Sequence, residues 1–344
     1  MRYFYQDINY IKQPEEFNKF TRKEVLQYAI SGLLYMPATK IEIADKIISK
    51  KYSEFKAICL DLEDSVGEDG VEEAEFYLEQ ILIKLKENVP LSELPIIFIR
   101  VRSPKQLKKL SENFDKELFK VVTGFNFPKF DSSNCVEYLK NFQHLKSIVK
   151  TPIYIMPIIE SSRVMDKQSR LKELYFIQRK LSPYSEDVLN IRVGATDFCN
   201  IFGLRRNANQ TIYDINVVLD CFIDIINTFG KNYVISGPVW EYFDTNNIEG
   251  DWSKGLIREL ELDKVNGFIG KTSIHPSQLK YIAKNNIVLN EDYQDAINIL
   301  GMNKGLIGVA KSSSNNKMNE VKTHSNWAKK IVGLAEIYGV KQHE

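Results

Sequence analysis

Eight short apolar runs, each closing on a polar residue or on Pro or Gly, recur along the chain: GLLYMPA (32–38), AICLDLED (57–64), PIIFIRVR (95–102), VVTGFNFPK (121–129), PIYIMPIIE (152–160), VLNIRVGATD (188–197), NYVISGP (232–238) and GFIGKTSIHP (267–276). Their apolar residues are continuous rather than alternating with polar ones, the pattern of parallel strands covered on both faces. Segments with helical spacing lie between them. The clearest is 72–87, where Ala74, Tyr77, Leu78, Ile81, Leu82 and Leu85 recur at i, i+3, i+4, i+7, i+8 and i+11 and predict one apolar face. Similar stripes predict helices in 41–50, 163–181 and 212–229, the last apolar enough to be largely buried. Strand and helix alternating through eight units in about 250 residues predict an α/β chain folded as a TIM (β/α)8 barrel. The rival is an open doubly wound sheet. The turn after the first run, PATK, lacks the GxGxxG or GxxxxGK[ST] pattern that such a sheet uses to cradle a phosphate.

On this pattern 31–285 form a barrel catalytic domain and 1–30 an N-terminal segment packed on it. Residues 286–344 form a C-terminal linker and helical extension, able to swap onto a neighbouring subunit. The polar stretch KSSSNNKMNE (311–320) reads as linker, and Trp327 to Tyr338 as an amphipathic docking helix.

At 44% hydrophobic and 26% charged residues, the chain has the composition of a globular protein with ample core material. Lys plus Arg number 46 against 45 for Asp plus Glu, and no long basic run could neutralise successive phosphates, which argues against nucleic acid. The four cysteines are scattered without CxxC or zinc spacing and read as reduced thiols. The N-terminus lacks a basic-then-apolar leader, and no run of about 18 apolar residues suggests a membrane span. The expectation is a cytoplasmic protein.

In a TIM barrel the reactive groups stand at the C-terminal ends of the strands. Here those ends carry Asp61, Glu63 and Asp64, then Arg100 and Arg102, Lys129, Glu160, Asp197, and Lys271 with His275. Glu160 and Asp197, on neighbouring strands, could converge on a hard cation such as magnesium, which takes one or two carboxylates and completes its octahedron with water and substrate oxygens. Each alone is equally readable as a helix cap or an ion-pair partner. Arg100 is a fork suited to a carboxylate or enolate oxygen, or to the acids of DLED. The GATD segment offers Gly194, Ala195 and Thr196 as backbone contacts for a carboxylate beside the metal. Arg205 and Arg206 could meet a phosphate or a second carboxylate. His275, before Pro276, reads as a helix cap, and Lys129 or Lys271 are weak candidates for a Schiff base.

Taken in order, LLYMPA, ICLDLEDSV, IRVRSP, FPK, MPIIES, VGATDF and GFIGKTSIHPSQ resemble the HpcH/HpaI aldolase and citrate lyase beta-subunit family, in a divergent branch of TIM-barrel carbon–carbon lyases. The resemblance runs from about Leu33 to Gln278 and resumes near Met318 to Val340. It implies a magnesium-dependent lyase or aldolase acting on a 2-oxo or hydroxy acid, with an acyl thioester of coenzyme A or a phosphorylated acid among the substrate options, through a metal-stabilised enolate. It implies Glu160 and Asp197 as the metal ligands. Arg100 would hold the substrate's carboxylate or enolate oxygen, and Asp61, Glu63 and Asp64 would orient Arg100 and metal-bound water; Lys129, from the strand ends, is a further candidate for substrate binding. KMNEVKTHSNWA resembles the family's C-terminal segment, which enters a neighbouring subunit's active site and puts Glu320 there; that arrangement requires at least a homodimer. Arg102 stands where the family usually has Asn, Glu320 where it has Asp, and the loop 199–211 is basic. Two further readings stay open: a non-catalytic metal- and metabolite-binding barrel serving as sensor or assembly subunit, and phosphoryl chemistry on an enol phosphate using Arg205 and Arg206.

Overall fold

A computed structural model describes residues 1–51, 54–302, 309–311 and 317–342. Each of the eight apolar runs contributes one strand: β1 (Gly32–Pro37), β2 (Ala57–Asp61), β3 (Ile96–Arg100), β4 (Gly124–Phe127), β5 (Tyr154–Ile159), β6 (Ile191–Val193), β7 (Ile235–Gly237) and β8 (Phe268–Ser273). All neighbours pair in parallel, and β8 pairs with β1 through Gly32↔Lys271 to close the barrel. The closing corner bends at Gly270, with φ +73°. A Cβ there would stand 2.3 Å from the Ser31 carbonyl oxygen, so only glycine allows the approach.

A covering helix follows each strand: α1 (Glu42–Ile48), α2 (Val71–Asn88), α3 (Pro104–Asn113), α4 (Cys135–Ile148), α5 (Arg170–Leu181), α6 (Asn216–Phe229), α7 (Asp251–Val265) and α8 (Pro276–Asn285). In α2 the expected stripe is the buried one, with Ala74, Leu78, Ile81, Leu82 and Leu85 turned to the strands. Two helices start later than the periodicity predicts. The 163–181 stripe breaks where Asp166 accepts the amide of Gln168, dividing Ser162–Met165 from α5. The 212–229 stripe opens as a single 3-10 turn capped by Thr211, and α6 begins at Asn216. Helix α6 also leaves Ile223 exposed, so only one of its faces is buried.

Strand residues alternate between two cores, as the pleat requires. Ile58, Leu60, Ile97, Ile99, Phe125, Phe127, Ile155 and Ile159 face the helices. Leu33, Cys59, Phe98 and Met156 face the barrel axis and meet Phe17, Ile30, Ile331, Leu334 and Tyr338 at the N-terminal end of the strands. That end is therefore plugged by the N-terminal segment and by two packed helices, α9 (Asn290–Met302) and α10 (Val321–Tyr338). The helix expected from Trp327 starts six residues earlier, at Val321. Of the polar stretch 311–320, residues 312–316 lie outside the described residues, while Val309–Lys311 pairs antiparallel with Met318–Glu320 instead of forming plain linker. Among the described residues no helix is long and apolar enough to cross a membrane. With one barrel end plugged, polar side chains gather at the other.

Candidate functional site

At the C-terminal end of the strands a cavity of about 400 Å³ is lined by Tyr35, Asp61, Asp64, Ser65, Arg100, Ile158, Glu160, Val193, Gly194, Thr196, Asp197, Val239, Thr272 and Ile274. Its charged wall is built on β2 and β3, which run in register to Asp61↔Arg100. Arg100 Nε and Nη2 donate to the two carboxylate oxygens of Asp61 at 2.6 and 2.7 Å. Its Nη1 meets Asp64 at 3.0 Å and Glu63 at 2.9 Å. Asp61 also accepts the amides of Glu63 and Ser65, which winds the DLEDS turn around it. Burial opposes ionisation of Asp61, but the Arg100 and amide bonds prevail and hold its carboxyl below the ordinary value. Burial raises Glu63, partly offset by Arg100 and Lys129. All three nitrogens of Arg100 are thus engaged by acids, while its guanidinium stacks over the Tyr35 ring at 4.9 Å.

Glu160 follows the last residue of β5, and Asp197 lies in the first turn of the Ala195–Ile201 helix after β6. Glu160 Oε1 accepts the amide of Lys129 at 2.9 Å. Its other oxygen lies over Gly194, where a Cβ would stand only 1.9 Å away, so the cradle admits no side chain. Burial and then the Asp197 charge push the Glu160 carboxyl up to about 8. Burial also raises Asp197, with Asp64 adding to it and Lys129 opposing. Lys129, held at φ +47° in the left-handed region where a non-glycine residue is strained, directs its ammonium to Glu63, with Asp64 at 3.4 Å and Asp197 at 3.9 Å.

Four carboxylates, Asp61, Glu63, Asp64 and Asp197, thus share two cations, Arg100 and Lys129, and a fifth, Glu160, is held by the Lys129 amide. Burial pushes three of the five, Glu63, Glu160 and Asp197, toward the protonated form. That donor set fits a hard divalent cation, which needs only one or two protein carboxylates. Among the described residues no group of three or more His, Cys, Asp or Glu is arranged to hold a metal ion by itself, so a cation here would take its remaining ligands from water and substrate.

Several residues expected at the site are placed differently. Gly194 lines the cavity, but its amide donates to the Ile159 carbonyl at 3.2 Å and is not free for a ligand carboxylate. Thr196 lines the cavity and Ala195 is buried behind it. Lys129 stands beside the site, tied to acids. Arg206 is buried away from the cavity, donating to the Val239 carbonyl at 2.6 Å and to Glu259 at 3.3 Å over the Trp240 ring. Arg205 is exposed beside Glu241 at 3.3 Å. Neither arginine lines the cavity, so neither is placed to meet a ligand inside it. Lys271 points out of the barrel to Glu259 and Asp263, each at 2.8 Å, and is not a nucleophile at the mouth. Arg102 folds back on the Leu62, Glu63 and Val66 carbonyls and on Glu68. His275 caps α8 by accepting the amide of Ser277, as its place before Pro276 suggested.

Glu320 precedes α10; its amide donates to His324 at 3.0 Å and its carboxylate accepts from Thr323 at 3.1 Å, and it does not line this cavity. Tyr35 and Thr272 line the cavity, with Asn126 and Arg192 hydrogen-bonded to them from outside its lining, although the reading of strand ends singles out none of the four. Asn126 donates to the Tyr35 hydroxyl at 2.6 Å, and Arg192 to Thr272 at 2.7 Å. A signal for two of them is present: Asn126 in GFNF and Arg192 in IRV are polar side chains in the middle of otherwise apolar strands.

Residues 24–340 match the family described as C-C bond lyase of the TIM-Barrel fold, and the chain belongs to that family. No curated protein is a sequence match to it. Among solved structures, the chain is similar to the CitE protein of Mycobacterium tuberculosis in complex with magnesium, acetoacetate and coenzyme A, at 16% identity and a TM-score of 0.55 over 90% of this chain and 99% of that one. It is similar to the citrate lyase beta subunit of the same organism complexed with oxaloacetate and magnesium, at 18% identity and a TM-score of 0.50 over 76% and 98%. Malate synthase of Haloferax volcanii, as a lead(II) complex, is similar at 13% identity and a TM-score of 0.54 over 73% and 71%. At such identities the likeness is one of fold; the family match identifies the chain as a carbon–carbon lyase.

Proposed function

We propose that this carbon–carbon bond lyase acts on a 2-oxo or hydroxy acid, passes through an enolate, and requires magnesium held by Glu160 and Asp197. The observation that carries the reading is the carboxylate pair lining the cavity: Glu160, buried against Gly194 and raised to about 8, with the half-buried Asp197 raised beside it. When bound there, magnesium supplies a Lewis acid for the substrate's oxygens.

The chain's own residues do the rest. Asp61 locks the Arg100 guanidinium by two parallel bonds, so its charge stands preorganised at the cavity wall where negative charge develops on the departing fragment. Glu63 and Asp64 hold the remaining edge of Arg100 and the Lys129 ammonium, and Lys129 fixes Glu160 through its amide. Ile158, Val193, Val239 and Ile274 give the cavity apolar walls that exclude water from the reacting carbons. Asp61 and Glu63 are committed to cations; the resemblance of KMNEVKTHSNWA to the family's C-terminal segment assigns the proton acceptor to Glu320 of a second copy of the chain, the other candidate being a water on the magnesium. In its own chain the Glu320 carboxylate accepts from Thr323, one turn along the same segment.

The test is turnover of a panel of 2-oxo and hydroxy acids, free and as coenzyme A thioesters, with magnesium chloride present and products followed by NMR. Turnover of a panel member by the wild type, its loss in Glu160→Ala, and slowing without loss of magnesium binding in Glu320→Ala are the expected results. Full activity in Glu160→Ala would sink the assignment of the metal pair.

A further inference from the structure

The cavity at the strand ends is rich in acids and short of free donors. Among its lining residues Arg100 is the one cation, and all three of its nitrogens are taken by Asp61, Glu63 and Asp64. The Gly194 amide is given to the Ile159 carbonyl. Negative charge that develops on a substrate oxygen here has to draw its hydrogen bonds from other groups. Four residues with hydroxyls line the cavity: Tyr35, Ser65, Thr196 and Thr272. In two of them, Tyr35 and Thr272, a buried side chain behind the lining donates to the oxygen. No such donor reaches the hydroxyl of Ser65 or Thr196 among the described residues.

A donor behind a hydroxyl decides which way its hydrogen points. Arg192 Nη2 meets Thr272 Oγ1 at 2.7 Å, and a guanidinium accepts nothing, so the threonine oxygen is the acceptor and its own hydrogen turns away. No acceptor for that hydrogen stands among the described residues, which leaves the cavity that Thr272 lines. Arg192 itself is 1% exposed and has no acid among the described residues; it reaches the cavity through the Thr272 hydroxyl. Asn126 Nδ2 donates to the Tyr35 hydroxyl at 2.6 Å and to Cys59 Sγ at 3.4 Å, with the amide nitrogen turned to both. The phenolic hydrogen is thereby directed away from Asn126. Burial raises the Tyr35 hydroxyl, opposed in part by Arg192 and Arg100, so it keeps that hydrogen and remains a donor.

The two hydroxyls belong to neighbouring positions. Strands β8 and β1 pair through Leu33↔Thr272, and Tyr35 lies two residues beyond Leu33 on the same, axis-facing side. Lys271, just before Thr272, points out to α7, and the alternation of the strand turns Thr272 inward. Arg100 stacks over the Tyr35 ring at 4.9 Å and Arg192 stands behind Thr272, so a fixed positive charge backs each hydroxyl and strengthens it as a donor.

We propose that the Tyr35 and Thr272 hydroxyls form an oxyanion-binding pair, donating together to the carbonyl oxygen on which negative charge develops as the carbon–carbon bond breaks. This rests on the enolate reading of the reaction, and it gives that oxygen its donors on β1 and β8, across the closed barrel from Glu160 and Asp197 at the ends of β5 and β6. In the step itself the substrate hydroxyl gives its proton to the proton acceptor and becomes a carbonyl. The electron pair of the broken bond passes to the other fragment, whose carbonyl oxygen becomes the enolate oxygen. Tyr35 and Thr272 keep their hydrogens throughout and only share them. A hydrogen bond to an oxyanion is stronger than one to the ground-state carbonyl, so the pair acts on kcat more than on KM. Asn126 and Arg192 are positioning residues, acting through the hydroxyls they hold.

The experiment is steady-state turnover of the same panel of 2-oxo and hydroxy acids, free and as coenzyme A thioesters, by the full chain in magnesium chloride. The wild type is compared with Tyr35→Phe, Thr272→Val and Thr272→Ser, which alter the hydroxyls with little change in packing. Tyr35→Phe and Thr272→Val should each lower kcat by about 10²-fold, the scale of one oxyanion donor, with KM nearly unchanged. Thr272→Ser keeps the hydroxyl and should retain most of the rate. All three should keep the wild type's rise in melting temperature on adding magnesium chloride. Unchanged kcat in either Tyr35→Phe or Thr272→Val would overturn the pair; for Tyr35 it would mean that the Asn126 amide is turned and takes the phenolic hydrogen. Equal losses in Thr272→Ser and Thr272→Val, or a lost response to magnesium, would mark a packing role and overturn it as well. A wild type that turns over no panel member sinks the substrate reading, and the oxyanion pair with it. Turnover that survives in Glu160→Ala but is lost in Tyr35→Phe and Thr272→Val discards the metal pair and leaves the hydroxyls standing.

Discussion

Two clusters of buried charge stand on neighbouring parts of this barrel and are built in opposite ways. Between β8 and α7, Lys271 meets Glu259 and Asp263, Arg206 shares Glu259, and Tyr213 donates to Asp263 at 2.7 Å. Two cations answer two acids there, the side chains of Lys271 and Glu259 are sealed from solvent, and the cluster ties a strand to its covering helix. At the cavity, five acids surround two cations, a further arginine beneath them has no acid, and the group opens to a space of about 400 Å³. The residue types are the same. A balanced, closed cluster is a rivet, whereas one with unanswered charge of both signs beside an open space has the character of a binding site.

Substitutions in either cluster should separate the two behaviours. The largest effect is expected at Glu160: Glu160→Gln should lower turnover by about 10³-fold, the scale of losing a preorganised electrostatic contact, while circular dichroism shows the fold unchanged. Next, Gly194→Ala places a methyl 1.9 Å from a Glu160 carboxylate oxygen and must displace it. A shift of that size should reduce kcat/KM by about 10²-fold. In the closed cluster, Lys271→Met leaves Glu259 and Asp263 buried with one cation fewer and should destabilise by about 3–5 kcal/mol in urea titration. The activity of the molecules that remain folded should be nearly unchanged. If Lys271→Met abolished catalysis in a protein of normal stability, the two clusters would not be separable.

The pH dependence gives a smaller and more specific effect. Glu160 is raised to about 8 in the folded chain, above the ordinary carboxyl value of 4.5 that applies to the unfolded one. Between those two values the folded state holds a proton that the unfolded state has lost, so the stability contributed by protonated Glu160 is full below the lower value and declines as pH rises toward about 8. Magnesium competes with that proton, so the rise in melting temperature on adding magnesium chloride should grow over the same interval. In Glu160→Gln it should be small and flat with pH. Least affected is Arg205→Ala, which removes an exposed side chain beside Glu241 and should change stability by less than about 0.5 kcal/mol.

Much of this is legible along the chain. The strands announce themselves because both faces of a parallel barrel strand are buried, which forces unbroken apolar runs, and their C-terminal ends announce the acids because polar residues are tolerated there only where the barrel opens. Glu160, Asp197 and Arg100 stand out in that way. Arg206 and Lys271 end near the same strands yet serve the closed cluster, since position along the chain does not tell whether a side chain points to the axis or to a helix. For Lys271 the deciding feature is the register irregularity between β7 and β8, with Gly270 in the left-handed region just before it. Arg192 hides inside an apolar run, although a charge in such a run can be buried only toward an axis or a partner.

By itself, then, the sequence determined the barrel, the order of its strands and the acids at its mouth, because hydrophobic periodicity and strand ends are local properties of the chain. Only the tertiary structure decided which charges answer one another. Ion pairing depends on distance across the barrel and on burial: it joined Arg206 and Lys271 to Glu259, drew Arg100 into Asp61, and left Arg192 without an acid beneath the cavity.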